Sequence, residues 1–359
     1  MLSYIIRRLL LILPTLIGST AVVFFVIALA PGGIGASLLS KEGNLRPEER
    51  KILEDYYNKR YGLKKPVYVQ YGRWLNQISP VGFEVKDDGS FGRLGFKSPN
   101  LGESFYRQRP VSEIILEALP ITLLLNFVSV PITYAIAVFV GIQAARHRGK
   151  FADVSTGGLF LALSAVPTIW AGVMLIGFFA NQQWFKWFPA NGLHDVMAES
   201  MPFLPHFDPA GAWQRGWLLD TAWHLVLPVV CMSYASFAFL SKLTRSSVLE
   251  NITADYARTA RAKGLPPNVV LYRHVFRNSF IPLITVGAGL LPALVAGSVI
   301  IETIFGINGM GKLAIDAVNT RDRELFLADT LIASFLTLIG YLLADIGYAL
   351  ADPRVSFEE

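Results

Sequence analysis

Residues 306 to 313, GINGMGKL, carry glycine, four residues, glycine and lysine, the spacing of a loop whose backbone N–H groups wrap phosphate. The next position of such a loop supplies a magnesium-binding hydroxyl, and here it is Leu313. Five histidines (His147, His194, His206, His224 and His274) lie scattered, with no His-Glu-x-x-His pair and no serine elbow near them. The single cysteine, Cys231, excludes an internal disulfide and any cysteine-built metal cage. No catalytic residue and no metal ligand is read from the chain, so its chemistry is expected to be binding and movement.

The elements that must position these residues are membrane elements. Of 359 residues, 53% are hydrophobic and 16% charged, too apolar a balance for an ordinary soluble domain. A bilayer core about 30 Å thick needs roughly 20 apolar helical residues. Leu9 to Ala30 is such a run, and others occupy about 121 to 145, 157 to 180, 223 to 241, 280 to 305 and 325 to 350. The first also imitates a cleavable signal, with Arg7 and Arg8 ahead and Ala28-Leu29-Ala30 behind, but it exceeds the usual apolar length of about 7 to 15 residues and reads as a retained helix. The expected architecture is an all-α polytopic membrane protein of six transmembrane helices.

Orientation follows from charge. The loop RHRGKFAD (146 to 153) carries Arg146, Arg148 and Lys150, and 242 to 279 carries Lys242, Arg245, Arg258, Arg261, Lys263, Arg273 and Arg277 against Glu250 and Asp255. Positive loops stay in the cytoplasm, which with six spans puts both termini there. The expected organisation is a first transmembrane helix (1–30), an external segment (31–120), a transmembrane core (121–351) containing the cytoplasmic loop 242–279, and a cytoplasmic tail (352–359). Segments 181–222 and 306–324 would also be external. The glycine loop at Gly306 then faces away from any ATP supply and reads as a turn leaving a helix.

The densest stretch is TADYARTARAKGLPPNVVLYRHVFRNSFIP, residues 253 to 282. Thr253 suits an N-cap, Asp255 the first turn, Arg261 and Lys263 the last, and Gly264 a left-handed stop, so a short helix is expected. Ala257, Ala260 and Gly264 fall nearly on one face, a shallow strip that another protein could approach, flanked by Arg258 and Arg261. A solvated basic loop against anionic lipid is the plainer alternative.

The run from Asp255 and Tyr256 to Gly264, followed by His274, Arg277-Asn278 and Ile281-Pro282, resembles the coupling segment of ABC importer permeases of the dipeptide and oligopeptide branch. Arg258-Thr259-Ala260 stands where the general pattern has Glu-Ala-Ala. YIIRRLLLILPTLIG, YGLKKPVYVQYGRWL, LGESFYRQRPVSEII, HLVLPVV, LTRSSVLE, ETIFGINGMGKL and DPRVSF extend the likeness over nearly the whole chain. Residues 79 to about 100 look like an insertion, and Asn308 replaces the family's usual proline. The tail and enlarged external loop lean toward the branch of microcin and peptide importers.

The resemblance implies a permease subunit that moves peptides or similar small solutes across the inner membrane and binds no cofactor. ATP and magnesium would be used by two partner ATPase subunits, which would grip Asp255, Tyr256, Ala257, Arg258, Ala260, Arg261, Lys263 and Gly264. A second permease, a sister chain, and an extracytoplasmic solute-binding protein would complete the assembly; nucleic acid plays no part. A wet pathway for a peptide needs small polar residues in the spans. Ser129 and Thr133 with Pro131, Ser164 and Thr168 with Pro167, and Ser233, Tyr234 and Ser236 are the candidates, and helix packing would account for them equally. Glu302 and Asp345 read as paired or snorkelling groups near an interface, and Asp329 lies near the outer end of its span. An ion-coupled secondary transporter is the alternative, but the chain lacks deep carboxylates and inverted repeats.

Overall fold

The computed structural model describes residues 2–29, 64–85, 91–207, 211–290 and 297–351, with 48, 55 and 62. The predicted tail 352–359, most of 30–63 and the middle of the predicted fifth span (291–296) lie outside the described residues. In chain order the helices are α1 (Leu2–Leu29), α2 (Val67–Ile78), α3 (Val111–Arg146), α4 (Phe151–Ser164), α5 (Thr168–Leu175), α6 (Gly216–Ile252) and α7 (Asp255–Ala262). They continue with α8 (Pro267–Val269), α9 (Phe276–Ser279), α10 (Ile281–Leu290), α11 (Val299–Ile304), α12 (Met310–Asn319) and α13 (Arg323–Ala351). Two small antiparallel pairs, β1 (Val81–Val85) with β2 (Phe91–Phe96) and β3 (His206–Phe207) with β4 (Trp213–Gln214), correct the all-α expectation to mostly helical. The first hairpin occupies the segment read as an insertion. Asn76 of α2 pins it by donating to the Phe83 carbonyl at 2.8 Å and accepting the Phe83 N–H at 2.7 Å.

Among the described residues, four helices are long and apolar enough to cross a membrane: Tyr4–Leu29, Val111–Arg146, Gly216–Tyr234 and Arg323–Gly347. A fifth candidate is α4 with the helical stretch Thr168–Ala180 that starts with α5, a pair bent by 98° where one span (157–180) was expected. Pro167 is the cause. It has no N–H to donate and sits with φ −61° and ψ 138°, so the helical ladder stops at Ala165 and restarts when Ala171 N–H finds the Pro167 carbonyl. Helix α3 begins at Val111, well before the expected 121, and helix α6 continues to Ile252 instead of ending near 241. The first part of the loop 242–279, expected from its charge to be cytoplasmic, is thus helical.

The chain divides into two compact units, residues 1–120 with 310–339, and 121–309 with 340–359. In the first, Val111, Ile114 and Ala118 pack with Met310, Leu313, Leu325 and Ala328, while Phe24 of α1 packs with Trp74 and Leu327. The same unit contains a buried charged turn, Asp322-Arg323-Glu324, at the end of the segment 306–324 expected to be external. Asp322 accepts from the Ser104 hydroxyl, from Tyr106 N–H at 3.1 Å and from Leu325 N–H at 3.3 Å. Arg323 pairs with Glu324 and lays its guanidinium over the Phe24 ring, 5.6 Å from the centroid. Buried ions are tolerated only with such partners. In the second unit the core runs through Leu125, Leu227, Cys231, Ile301 and Phe305, with a separate cluster around Ile142, Val248 and Val275.

Asp322→Ala leaves the donors of Ser104, Tyr106 and Leu325 buried and unanswered, and should cost about 3 kcal/mol. Thermal unfolding of the full chain in detergent checks this, with Asp322→Asn expected to fall between the variant and the parent.

Candidate functional site

The exposed basic helix begins differently from the sequence expectation. Thr253 does not cap it: its hydroxyl donates back to the Glu250 carbonyl at 2.9 Å and closes α6. The N-cap is Ala254, extended at ψ 154° and with no side-chain bond, because threonine's hydroxyl finds the preceding turn first. The far end is as expected. Gly264 is left-handed at φ +75°, its N–H reaches the Arg261 carbonyl at 2.9 Å, and Leu265 N–H reaches the Ala260 carbonyl at 3.3 Å. That pair of bonds is the Schellman stop, and no residue but glycine adopts its conformation without cost.

The alanine strip faces the opposite way from the expectation. Ala257 is 0% and Ala260 5% exposed, packed in one cluster with Ile142, Ala145, Val248, Val270, Leu271 and Val275 of the chain itself. Two methyl side chains let the α7 backbone lie close on this cluster, so the small residues seat the helix instead of receiving a partner. The outward face consists of Asp255, Tyr256, Arg258, Thr259, Arg261, Ala262, Lys263 and Gly264. Arg261 Nη2 donates to the Ile252 carbonyl at 2.7 Å, and the Tyr256 hydroxyl donates to Asn251 Oδ1, both anchoring α7 to the end of α6. Asp255 and Arg258 approach to 3.7 Å but are so exposed that the pair is worth little.

Two further links stiffen this region, and sequence inspection missed both. The Ser247 hydroxyl donates to the Ser279 carbonyl at 3.1 Å, and Ser279 Oγ lies 2.9 Å from the Val275 carbonyl and 3.2 Å from the Ser247 carbonyl, closing the base of the loop. Arg245, counted above only as a loop charge, grips Asp153 with both nitrogens at 2.6 and 2.7 Å, while Gly149 N–H donates to the same carboxylate at 2.9 Å. Bidentate, partly desolvated pairs of this kind hold geometry as well as charge. Their signal was an aspartate two residues inside a basic turn, readable only once a distant arginine was known to be near.

The candidate pathway residues separate. Ser129, Thr133, Ser233 and Tyr234 are buried together: Thr133 Oγ1 lies 2.6 Å from the Ser129 carbonyl and 2.9 Å from Ser233 Oγ. The Tyr234 hydroxyl donates to the Val166 carbonyl at 2.7 Å and sits 3.5 Å from Thr168 Oγ1, so it answers a carbonyl freed by the break at Pro167. Ser164 is exposed and bonds its own helix at the Leu161 carbonyl. A cavity of about 150 Å3 beside Asn126, Ser129, Thr133 and Ser236 joins the first group. At that volume it has room for a few waters and is too small for a peptide.

Glu302 does not snorkel. It is fully buried, accepting from Thr122 Oγ1 at 3.1 Å and from Ser298 N–H at 3.2 Å. Gly309 makes room for it, since a Cβ there would lie 2.5 Å from Thr122 Oγ1 and 2.6 Å from Glu302 Cδ. The glycine loop that resembled a phosphate cradle is the end of α11: Gly306 is left-handed at φ +60°, with Ile307 N–H on the Glu302 carbonyl at 2.8 Å. A helix precedes it where a phosphate loop has a strand. Among the described residues no three His, Cys, Asp or Glu side chains converge as a metal site.

The chain matches two family descriptions. Residues 137–357 match the binding-protein-dependent transport system inner membrane component, and residues 1–126 match the N-terminal part of such membrane components. Among curated relatives, the oligopeptide transport system permease protein AppB of Bacillus subtilis is 34% identical, covering 99% of this chain and 100% of that protein. The peptidoglycan transport system permease protein YejB of Agrobacterium fabrum is 32% identical, covering 99% and 98%. The di/tripeptide transport system permease protein DppB of Pseudomonas aeruginosa is 32% identical over 100% of both chains.

Gly264→Ala places a Cβ in left-handed backbone at a cost of about 1–2 kcal/mol, equivalent to roughly 5- to 30-fold faster hydrogen exchange at the Gly264-position and Leu265 amides. Exchange mass spectrometry of the loop peptide should show this, with peptides from α3 unchanged.

Proposed function

The chain belongs to the family of binding-protein-dependent transport system inner membrane components, the permease subunits of ABC importers, and from that premise we propose that it carries peptides or similar small solutes inward, driven by ATP hydrolysis in a separate subunit that presses on α7. The peptide cargo is taken from the names of the oligopeptide, peptidoglycan and di/tripeptide relatives. In this reading six helices cross the membrane, the fifth in chain order being the segment that contains α10 and α11, and both termini face the cytoplasm. The charge of the loops at 146–153 and 242–279 supports that orientation.

The observation that carries the reading is the two-sided construction of α7. Its inner face is pressed by Ala257 and Ala260 onto the bundle, while Tyr256, Arg258, Arg261 and Lys263 stand outward. Shifting a two-state membrane unit from 1:99 to 99:1 needs about 5.5 kcal/mol of differential binding. A helix seated on the core transmits such a difference; a loop without that seat would absorb it. The assembly would comprise this chain, a second permease, two ATPase subunits that bind ATP and magnesium, and an external solute-binding protein that delivers cargo near the enlarged segment 31–120. The bent junction of α4 and α5 and the buried group Ser129, Thr133, Ser233 and Tyr234 would line or support the pathway, with Thr168 at its bend. The ion-coupled alternative finds no support in the family to which the chain belongs.

Reversing charge on the outward face, in the double variant Arg258→Glu and Lys263→Glu, should leave insertion and protein amount unchanged while uptake by the assembled transporter falls at least about tenfold, the equivalent of about 1.4 kcal/mol. Residual ATP hydrolysis by the partner, no longer stimulated by delivered cargo, is the companion measurement. Full uptake in that variant would remove α7 from the transmission path.

A further inference from the structure

A cavity of about 600 Å3 opens between α4 and α6. Its apolar walls include Val154, Leu161 and Phe239, which are 67%, 74% and 59% exposed. Its floor passes Gly157 and Gly158, where a Cβ would meet nothing within 4 Å. From Asp153 to Ser164 this wall rises about 16 Å at the helical repeat, the reach of a hydrocarbon chain and not of a small polar ligand. The groove lies on α4, half of a helix pair apolar enough to cross a membrane, so its occupant comes from within the bilayer.

One end of the groove is charged. Asp153 is the sole carboxylate among the lining residues, and Arg245 holds it from two nitrogens, cancelling one charge with another. Lys242, exposed at the rim, adds a positive charge, and Arg148 acts on Asp153 through space. The net charge at this end is therefore positive. An amphiphile with an anionic head and an apolar tail matches both ends at once, and basic pockets between membrane helices on the cytoplasmic side are where acidic headgroups bind. The volume falls within the range of small-ligand sites.

We propose that this groove is a binding site for one anionic glycerophospholipid of the cytoplasmic leaflet, its phosphate at Lys242 beside the Arg245–Asp153 pair and an acyl chain over Gly157 and Gly158. The inference rests on the orientation given above, in which this end of α4 and α6 faces the cell interior. Bound there, the lipid braces α4 against α6 directly beside the link between the 146–153 turn and the long helix that ends at α7. The transporter would then work best in a membrane containing acidic lipid.

The test uses the full-length chain in its assembled transporter, reconstituted with phosphatidylglycerol or with phosphatidylcholine alone. Native mass spectrometry counts retained lipid, and Lys242→Gln and Gly158→Leu remove the charge and fill the floor respectively. The expected result is a single phosphatidylglycerol retained per chain in the parent and lost in both variants, with phosphatidylcholine retention the same in all three. Melting in detergent without added lipid should be unchanged for Gly158→Leu, since open space lies above that position. Equal phosphatidylglycerol counts in the parent and both variants overturn the proposal. So does efficient disulfide formation between Val154→Cys and a cysteine of the second permease, which would put protein in the groove. Uptake is measured on the same vesicles: a lipid count that behaves as expected in a complex that moves no cargo upholds the lipid site and removes only the transport reading, whereas normal uptake with equal counts removes only the lipid site.

Discussion

The close seat of α7 on the membrane bundle is the constraint on which the rest of this molecule's design turns. At Ala257 and Ala260 only methyl groups separate the α7 backbone from a cluster built by α3, α6 and the returning segment around Val270 to Val275. A larger residue at either place would push the helix off, at about 1–3 kcal/mol for overpacking. The Schellman stop at Gly264 and the Arg261 bond to Ile252 then fix where the helix ends. Neighbouring links, the bond from Ser247 to the Ser279 carbonyl and the grip of Arg245 on Asp153, extend the same rigidity to the base of α6 and the turn before α4. The outward cations are thus carried on a part that moves with its foundations.

The second recurring device is the buried carboxylate held by specific partners. Glu302 is held by Thr122 and the Ser298 amide, Asp322 by Ser104 and two backbone amides, and Glu324 by Arg323. Each costs dearly if a partner is withdrawn, since the remaining group is stranded in a medium that cannot solvate it. Glycine appears beside two of them for want of space: a Cβ at Gly309 would strike Glu302 and Thr122, and one at Gly102 would come within 2.9 Å of Glu324 Oε2. Within each compact unit, then, these buried carboxylates are held by short-range, specific contacts.

What could be read from the chain alone follows from which interactions are local. Apolar runs long enough to span hydrocarbon announced α1, α3, α6 and α13, and Gly264 announced the end of α7, because length, hydropathy and left-handed backbone are properties of a few adjacent residues. Membership of the permease family was legible for the same reason, from short runs such as DYARTARAKG. The Pro167 break was visible as a residue but not as a 98° bend, since whether a proline kinks or ends a span depends on what answers the freed carbonyl, here Tyr234 from another helix. Thr253 misled because a hydroxyl can bond backward as easily as forward. The inward turn of Ala257 and Ala260, the Asp153–Arg245 pair and the buried Asp322–Glu324 turn depend on partners tens to hundreds of residues away, so composition alone made them look solvated or outward-facing.

The central claim is that the face of α7 opposite its alanine seat looks into the cell. Lys263→Cys, in a chain whose one native cysteine, Cys231, is buried, tests this with a membrane-impermeant maleimide, the unsubstituted chain serving as the blank. Labelling in inside-out vesicles and none in right-side-out vesicles is the predicted result; labelling from the right-side-out face would contradict the account.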